Sequence, residues 1–241
     1  MMLMSFILWL DRIFPAVTIA GLAAELVIIL AHYFIFGPSH PELRKEKNNI
    51  HRFNICERGI HIITLASFVI LAVTGFLAAV FYDGLTGWMR AVHIVSAPVF
   101  AASLFFVALT WAQDCCFAKY DLQWAIACGG YFGGDDPPAG RFNAGQKGFF
   151  WVIVILALCC MVSGVGMACW LFGSILQQIS FQVHRYVSLF MLMVVTAHIY
   201  LGTFANPGTW QIILSGYVSF PWAKHHHSVW CEKIDKSSKA H

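Results

Sequence analysis

The chain has 241 residues, of which 59% are hydrophobic and only 11% charged, and its mean hydropathy is +0.69. A water-soluble domain usually carries about 25% charged residues, so this composition excludes an ordinary soluble enzyme and indicates an integral membrane protein. The formal net charge of +3 is small and gives no reason to expect a nucleic-acid partner.

Five stretches of the chain are apolar and long enough to cross a hydrocarbon core, which takes about 20 residues of helix. In chain order they are residues 14–36, 59–82, 91–113, 148–172 and a fifth stretch that begins at Phe181. The apolar residues before the first stretch lack the basic leading region and the cleavage site of a signal peptide, so we expect them to lead into span one. The sequence therefore predicts an all-α, polytopic membrane helical bundle.

The Lys and Arg residues orient this bundle in the membrane. Twelve of the 15 follow spans one, three and five, which places them on one side: Arg44, Lys45, Lys47, Arg52, Arg58, Lys119, Arg141, Lys147, Lys224, Lys233, Lys236 and Lys239. The other side receives only Arg12, Arg90 and Arg185. Because basic residues accumulate on the cytoplasmic side, we expect a periplasmic amino terminus and a cytoplasmic carboxy terminus.

The segments outside the spans carry weaker signals. Gly and Pro dominate the middle of residues 121–147, which predicts a loop rather than a helix. Near its end, Asn143 and Gln146 offer hydrogen bonds to a bound head group, or simply cap span four. The sequence Asn-Pro-Gly at 206–208 is predicted to end span five. A metal site at His225–His227 is disfavoured, since adjacent residues of a helix do not face one ion.

Five of the eleven histidines lie within predicted spans: His32, His61, His93, His184 and His198. An ionisable residue in a membrane span is a functional candidate, because burying it without a partner is unfavourable. For any single one of these histidines, the alternative is an ordinary hydrogen bond between helices.

The depths of four histidines match in pairs. His184 and His198 lie fourteen residues apart in span five, about 21 Å along a helix axis and within about 40° of one face. His93 begins span three and shares the outer level with His184, whereas His61 begins span two and shares the cytoplasmic level with His198. Two imidazoles at one depth can supply both axial ligands of a haem iron. The pattern predicts two stacked b-type haems that share span five.

Other residues support this prediction, each with a simpler alternative. Gly75 lies fourteen residues after His61, where it would let a porphyrin edge approach, or would serve helix packing. Arg90, Arg185 and Arg58 each lie near one of the four histidines and are candidates for pairing with haem propionates, with lipid head groups as the alternative.

Some polar and reactive residues stay outside the predicted haem sites. His32 and Glu25 in span one are expected to make polar contacts with a neighbouring helix, with a proton route as the alternative. None of the eight cysteines occurs in a C-x-x-C-H pattern, which excludes covalently attached haem on this pattern. We expect these cysteines to behave as small hydrophobes.

Several stretches resemble a known family: ERGIHIITLASFVILAVTGF, AVHIVSAP, GGYF with DDPPAGRFNAGQK, the helix with two histidines fourteen residues apart, and WAKHHHSVW. Together they resemble the cytochrome b (gamma) subunit of respiratory formate dehydrogenase. This family lies within a wider group of di-haem cytochromes of nickel–iron hydrogenases and thiosulfate reductases. The resemblance covers about residues 52–236.

The resemblance implies that His93 and His184 bind a periplasmic haem b and that His61 and His198 bind a cytoplasmic one. It also implies a quinone site, expected to take menaquinone, at Asn143, His198 and Gln146. The implied partners are an iron–sulfur (beta) subunit with a membrane anchor and a molybdenum or tungsten catalytic (alpha) subunit that oxidises formate. The implied location is the bacterial inner membrane.

The resemblance also divides the chain. Residues 1–50 would form an extra N-terminal transmembrane helix with a basic cytoplasmic loop, residues 51–223 a four-helix di-haem domain, and residues 224–241 a cytoplasmic tail. The expected function is electron relay from the iron–sulfur partner to a quinone, without formate oxidation by this chain itself. The alternatives are the equivalent subunit of a hydrogenase or thiosulfate-type reductase, and a haem-free transporter or anchor, although no internal repeat typical of transporters is evident.

Overall fold

A computed structural model describes residues 2–39, 42, 49–81, 84–132, 137–168 and 173–238, with side chains to residue 236. Several residues used in the predictions lie outside these ranges: Arg44, Lys45, Lys47, Tyr82, residues 133–136, Cys169, Phe172 and Lys239.

The described chain is almost entirely helical. In chain order its helices are α1 (Met2–Phe36), α2 (Ile55–Val80), α3 (Gly87–Trp111), α4 (Lys119–Ile126), α5 (Ala144–Ala168), α6 (Gly173–Thr203), α7 (Gln211–Ser215), α8 (Phe220–His226) and α9 (Ser228–Ser238). Five of them, α1, α2, α3, α5 and α6, are long and apolar enough to cross a membrane. This confirms the prediction of an all-α bundle with five spans.

The helices of spans one and five begin earlier than the apolar runs indicated. Helix α1 includes the first residues of the described chain, as predicted, and its 35 residues extend about 52 Å. Helix α6 begins at Gly173 rather than near Phe181 and has 31 residues. Both helices therefore exceed the roughly 30 Å thickness of a hydrocarbon core.

The prediction of a loop over residues 121–147 was wrong at its start, because Asp121–Ile126 belong to α4. The carboxylate of Asp121 accepts a hydrogen bond from the Ala118 N–H at 2.6 Å, which caps the helix. Gly129 and Gly130 follow, with φ of 67° and 76°, a conformation that glycine adopts without strain. The rest of the described segment up to Asn143 is not α-helical, as predicted.

The chain forms two compact units. Unit 1 comprises Met1–Ile28, Ile63–Phe105 and Ile153–Ala197, and unit 2 comprises Ile29–Ile62, Phe106–Val152 and His198–His241. The core of unit 1 includes Phe68 and Phe100, whose ring centroids are 5.9 Å apart. In unit 2, the rings of Phe53, Trp111 and Phe142 form a buried aromatic cluster.

A short antiparallel ribbon in unit 2 joins the beginning of α2 to the segment after α6. Strand β1 (Ile50–His51) pairs with β2 (Tyr217–Val218), with Ile50 opposite Val218. The carbonyl of Gly216 accepts hydrogen bonds from the N–H groups of Arg52 and Phe53, at 2.8 and 3.1 Å. Gly216 has φ of +84° and contacts this backbone so closely that a β-carbon would clash with it.

Candidate functional site

Unit 1 brings together the two histidines predicted at the outer level. The ring centroids of His93 on α3 and His184 on α6 are 6.4 Å apart. An imidazole nitrogen binds a metal at about 2 Å, so two rings on opposite sides of one ion have centroids roughly 6 Å apart. The observed separation therefore fits a metal held between these two rings.

A hydrogen bond to α2 fixes the tautomer of the His93 ring. The Nδ1 atom lies 2.7 Å from Oγ1 of Thr74, and that hydroxyl also lies 2.7 Å from the carbonyl of Ile70. Because a carbonyl only accepts, the Thr74 hydroxyl donates to Ile70 and accepts from Nδ1–H of His93. Nε2 then carries the lone pair that a metal requires.

His184 is held in the same tautomer by α5. Its Nδ1 lies 3.0 Å from the carbonyl of Cys160 and 3.2 Å from Oγ of Ser163. The carbonyl accepts, so Nδ1 carries the hydrogen and Nε2 has the lone pair. Partners of this kind fix ring orientation at metal sites. Thr74 and Ser163 were not predicted, because Ser and Thr are common in any membrane helix. Cys160 was not predicted either, because it contributes only its backbone carbonyl, which every residue has.

A glycine lies beside each of these rings. A β-carbon built on Gly75 would be 3.9 Å from Cε1 of His93, and one built on Gly164 would be 3.7 Å from Cε1 of His184. Gly75 thus lies at the outer histidine level, where the sequence placed it. Gly164 was missed, and its only sequence signal is the run Ser-Gly-Val-Gly within an otherwise apolar span.

Unit 2 contains the other two predicted ligands, His61 on α2 and His198 on α6. The imidazole of His198 stacks on Phe149, with ring centroids 3.9 Å apart and an interplanar angle of 8°. The Nδ1 atom of His61 is buried and has no hydrogen-bond partner among the described residues. A buried polar atom without a partner is unusual and fits a group that the protein takes up from outside.

Two of the three arginines proposed to pair with haem propionates have protein partners here. Arg185 donates to Oε1 of Gln182 at 2.6 Å and forms an ion pair with Asp11 at 2.9 Å. Arg58 donates to the carbonyls of Ile213 and Leu214. Arg90 is exposed. Their pairing with propionates stays a prediction.

Asn143 and Gln146 form a reciprocal cap at the start of α5. The amide oxygen of Asn143 accepts from the Gln146 N–H at 2.9 Å, and the amide oxygen of Gln146 accepts from the Asn143 N–H at 3.1 Å. This confirms the capping interpretation. Because the cap uses both side-chain oxygens, each side-chain NH2 group remains outside it as a hydrogen-bond donor.

Arg141 anchors the segment that leads into this cap. Its guanidinium forms ion pairs with the buried Glu57 at 2.6 Å and with Asp114 at 2.7 Å. Glu57 also accepts from Nε1 of Trp111 at 2.8 Å. Arg52 and Arg141 each donate to the other's backbone carbonyl at 2.7 Å. Burial, together with the charge of Arg141, lowers the pKa of Arg52 to about 9.

His32 makes the polar contact with a neighbouring helix that the sequence predicted. Its Nε2 lies 3.0 Å from the backbone carbonyl of Tyr131, so Nε2 donates, and Nδ1 accepts from the hydroxyl of Tyr200 on α6 at 2.6 Å. Both ring nitrogens are therefore engaged by protein groups. Glu25 is buried, and its Oε2 has no hydrogen-bond partner in the described part of the chain.

The histidine triplet does not form a metal cluster. Within the described ranges, no group of three or more His, Cys, Asp or Glu side chains is arranged to hold an ion. His227 is fully buried and its Nδ1 donates to the carbonyl of Gly140 at 2.7 Å. Burial, assisted by the charge of Arg52, holds the pKa of His227 well below its usual range.

Five helices able to cross a membrane, with the imidazoles of His93 and His184 facing each other between two of them, fit a membrane protein that holds a metal-containing cofactor. Comparison with known families agrees, and the chain belongs to the prokaryotic cytochrome b561 family, whose model matches residues 52–216. It is therefore a multi-pass membrane cytochrome b of electron transport, and its family implies haem b. Helix α1 lies outside the matched residues.

The chain is also similar to individual cytochrome subunits. It is 26% identical to the cytochrome b556(fdo) subunit of formate dehydrogenase from Escherichia coli K12, covering 81% of this chain and 98% of that one. The nitrate-inducible b556(Fdn) subunit of the same organism is 23% identical, over 77% and 92%. A formate dehydrogenase b556 subunit from Haemophilus influenzae Rd is 27% identical, over 58% and 62%. These similarities confirm the predicted resemblance.

Proposed function

We propose that this chain binds two haem b groups and relays electrons from an iron–sulfur subunit of a formate dehydrogenase complex to a quinone. The observation that carries the proposal is the pairing of His93 with His184 at 6.4 Å, with Nδ1 of each ring tied to protein oxygens. Such an arrangement presents two Nε2 lone pairs to one iron. The similarity to formate dehydrogenase subunits supports this choice of complex over a hydrogenase or a thiosulfate reductase.

The outer haem would be held by His93 and His184, and the inner haem by His61 and His198. Helix α6 contributes one ligand to each site. Gly75 and Gly164 leave room beside the outer imidazoles. Haem iron supplies one-electron chemistry when bound, and the protein orients the imidazoles of the outer pair through Thr74, Ser163 and the carbonyl of Cys160.

A quinone, expected to be menaquinone, would bind on the cytoplasmic side near His198. The side-chain NH2 groups of Asn143 and Gln146 are the proposed donors to a quinone carbonyl, since their oxygens are used in the cap. Arg141 holds the backbone that carries them through Glu57. Reduction of one quinone to its quinol takes two electrons through the haems and two protons from the cytoplasm.

The proposed setting follows from the charge distribution and the relatives. The chain would lie in the bacterial inner membrane with a periplasmic amino terminus, residues 51–223 forming the di-haem domain and residues 224–241 a cytoplasmic tail. The partners would be an iron–sulfur subunit with a membrane anchor and a molybdenum- or tungsten-containing subunit that oxidises formate. This chain would not act on formate itself.

The proposal is tested by counting haems and recording reduced-minus-oxidised spectra of the purified chain and its variants. We expect two haem b groups per chain. His93→Ala and His184→Ala should both abolish the spectral component of the outer haem. His61→Ala and His198→Ala should both abolish that of the inner haem. His32→Ala is the matched control, because both of its ring nitrogens bind protein groups, and it should retain both components. A single haem per chain in the unmodified protein would refute the proposal.

A further inference from the structure

Helix α1, which lies outside the family model, packs along α6 in unit 1. The hydroxyl of Tyr186 donates to the carbonyl of Leu10 at 3.0 Å, and its ring meets Phe14 edge-on at 5.0 Å. Two turns further along both helices, Gly21 lies against Met193. Tyr186 and Met193 are rotated by roughly 200° and 180° from His184 around the α6 axis. Helix α1 therefore covers the side of α6 opposite to His184.

An ion pair lies near one end of this contact, and its arginine is one residue along α6 from the haem-ligand candidate His184. Arg185, the residue after His184, pairs with Asp11 of α1 at 2.9 Å. Its guanidinium carbon lies 4.4 Å from the ring centroids of both Phe14 and Phe181. The Arg185 side chain is 16% exposed and that of Asp11 is 51% exposed. The cation is thus fixed between two aromatic rings, and a carboxylate from α1 balances its charge.

We propose that Asp11 of α1 sets the reduction potential of the outer haem by compensating the charge of Arg185. This inference rests on the proposed function, in which His93 and His184 hold that haem. Reduction adds one electron to the iron, so a nearby cation favours the reduced form and a nearby anion disfavours it. The Arg185 guanidinium stays charged, and Asp11 is the carboxylate that pairs with it, so removing Asp11 removes the compensating charge.

The test is a redox titration of both haems in the intact complex, comparing Asp11→Asn, Arg185→Gln and the double variant. Asp11→Asn leaves the guanidinium uncompensated, so the midpoint potential of the outer haem should rise. Arg185→Gln leaves the carboxylate uncompensated, so the potential should fall. Each substitution should change the equilibrium constant for reduction of the outer haem by less than about tenfold, because solvent screens the half-exposed Asp11. The double variant should return close to the parent value.

Two controls separate charge compensation at the outer haem from a general disturbance of the protein. The inner haem should keep its potential in every variant, and Arg12→Gln, which removes an exposed charge next to Asp11, should shift neither haem. Haem counts identify the cause of a failure. If the parent chain does not bind two haems, the proposed function is refuted. If it binds two haems but the outer-haem potentials of Asp11→Asn and Arg185→Gln shift in the same direction, or do not shift, only the role of Asp11 is refuted. If a single variant loses its outer haem, the double variant decides. If the double variant binds two haems and its outer haem has the parent potential, charge compensation is supported. Any other outcome refutes it.

Discussion

Replacing Lys147 by Met should strongly destabilise unit 2. The Lys147 ammonium lies 2.7 Å from Oδ2 of Asp121, and the two side chains are only 2% and 4% exposed. Asp121 Oδ1 has no hydrogen-bond partner in the part of the chain that the structure describes. Without Lys147 the buried carboxylate loses its counter-ion, which typically costs about 3–5 kcal/mol. For a chain of this size, that loss lowers the midpoint of thermal unfolding by about 6–20 °C.

The assay is thermal unfolding in detergent, followed by loss of helical circular dichroism and of haem absorbance. Lys119→Met is the matched control, because Lys119 is exposed, and it should change stability by less than about 0.5 kcal/mol. Lys147→Met combined with Asp121→Leu removes both charges and should be less destabilised than Lys147→Met alone, although it loses the α4 cap. Equal stability of Lys147→Met and Lys119→Met would refute this reasoning.

Three further predictions follow from buried groups. Since burial lowers the pKa of His227, protonation below pH 6.5 favours the unfolded chain, and at pH 5.5 this residue should lower stability by about 1.4 kcal/mol. His227→Gln should remove this part of the pH dependence, and an unchanged slope in the variant would contradict the assignment. Gly164→Leu should remove the outer haem signal, while Gly148→Leu, with open space around it, should not; equal spectra would count against the predicted fit. Glu57→Gln should lower stability by about 3 kcal/mol in denaturant titrations, because the one carboxylate still paired with Arg141 would be the exposed Asp114. A change under about 1 kcal/mol would argue against the importance of the buried ion pair.

The five spans and the outer histidine pair were predictable because the signals are simple. Charge-free runs of 20 or more residues have few structural alternatives in a membrane protein. Once the direction of each span is known, the helical rise fixes the depth of His93 and His184, and the structure brings their rings together.

Features that depend on tertiary contacts were not predictable. Helix α4 has no strong apolar period, and it is stabilised by Asp121 through a partner 26 residues away. The ion pair of Arg185 was also not predictable, because its partner Asp11 lies 174 positions earlier in the chain, in helix α1. Thr74 and Ser163 are common residue types in apolar helices, so only the observed hydrogen bonds reveal that they orient imidazoles.

The ribbon between β1 and β2 has a consequence for biogenesis. Ile50 pairs with Val218, 168 positions later, and Arg58 donates to the carbonyls of Ile213 and Leu214, which also follow the last span. The beginning of α2 therefore cannot form these contacts during translation until all five spans have been synthesised. Because pairings between distant residues form slowly, the proposed binding of a haem next to His61 would be a late step of maturation.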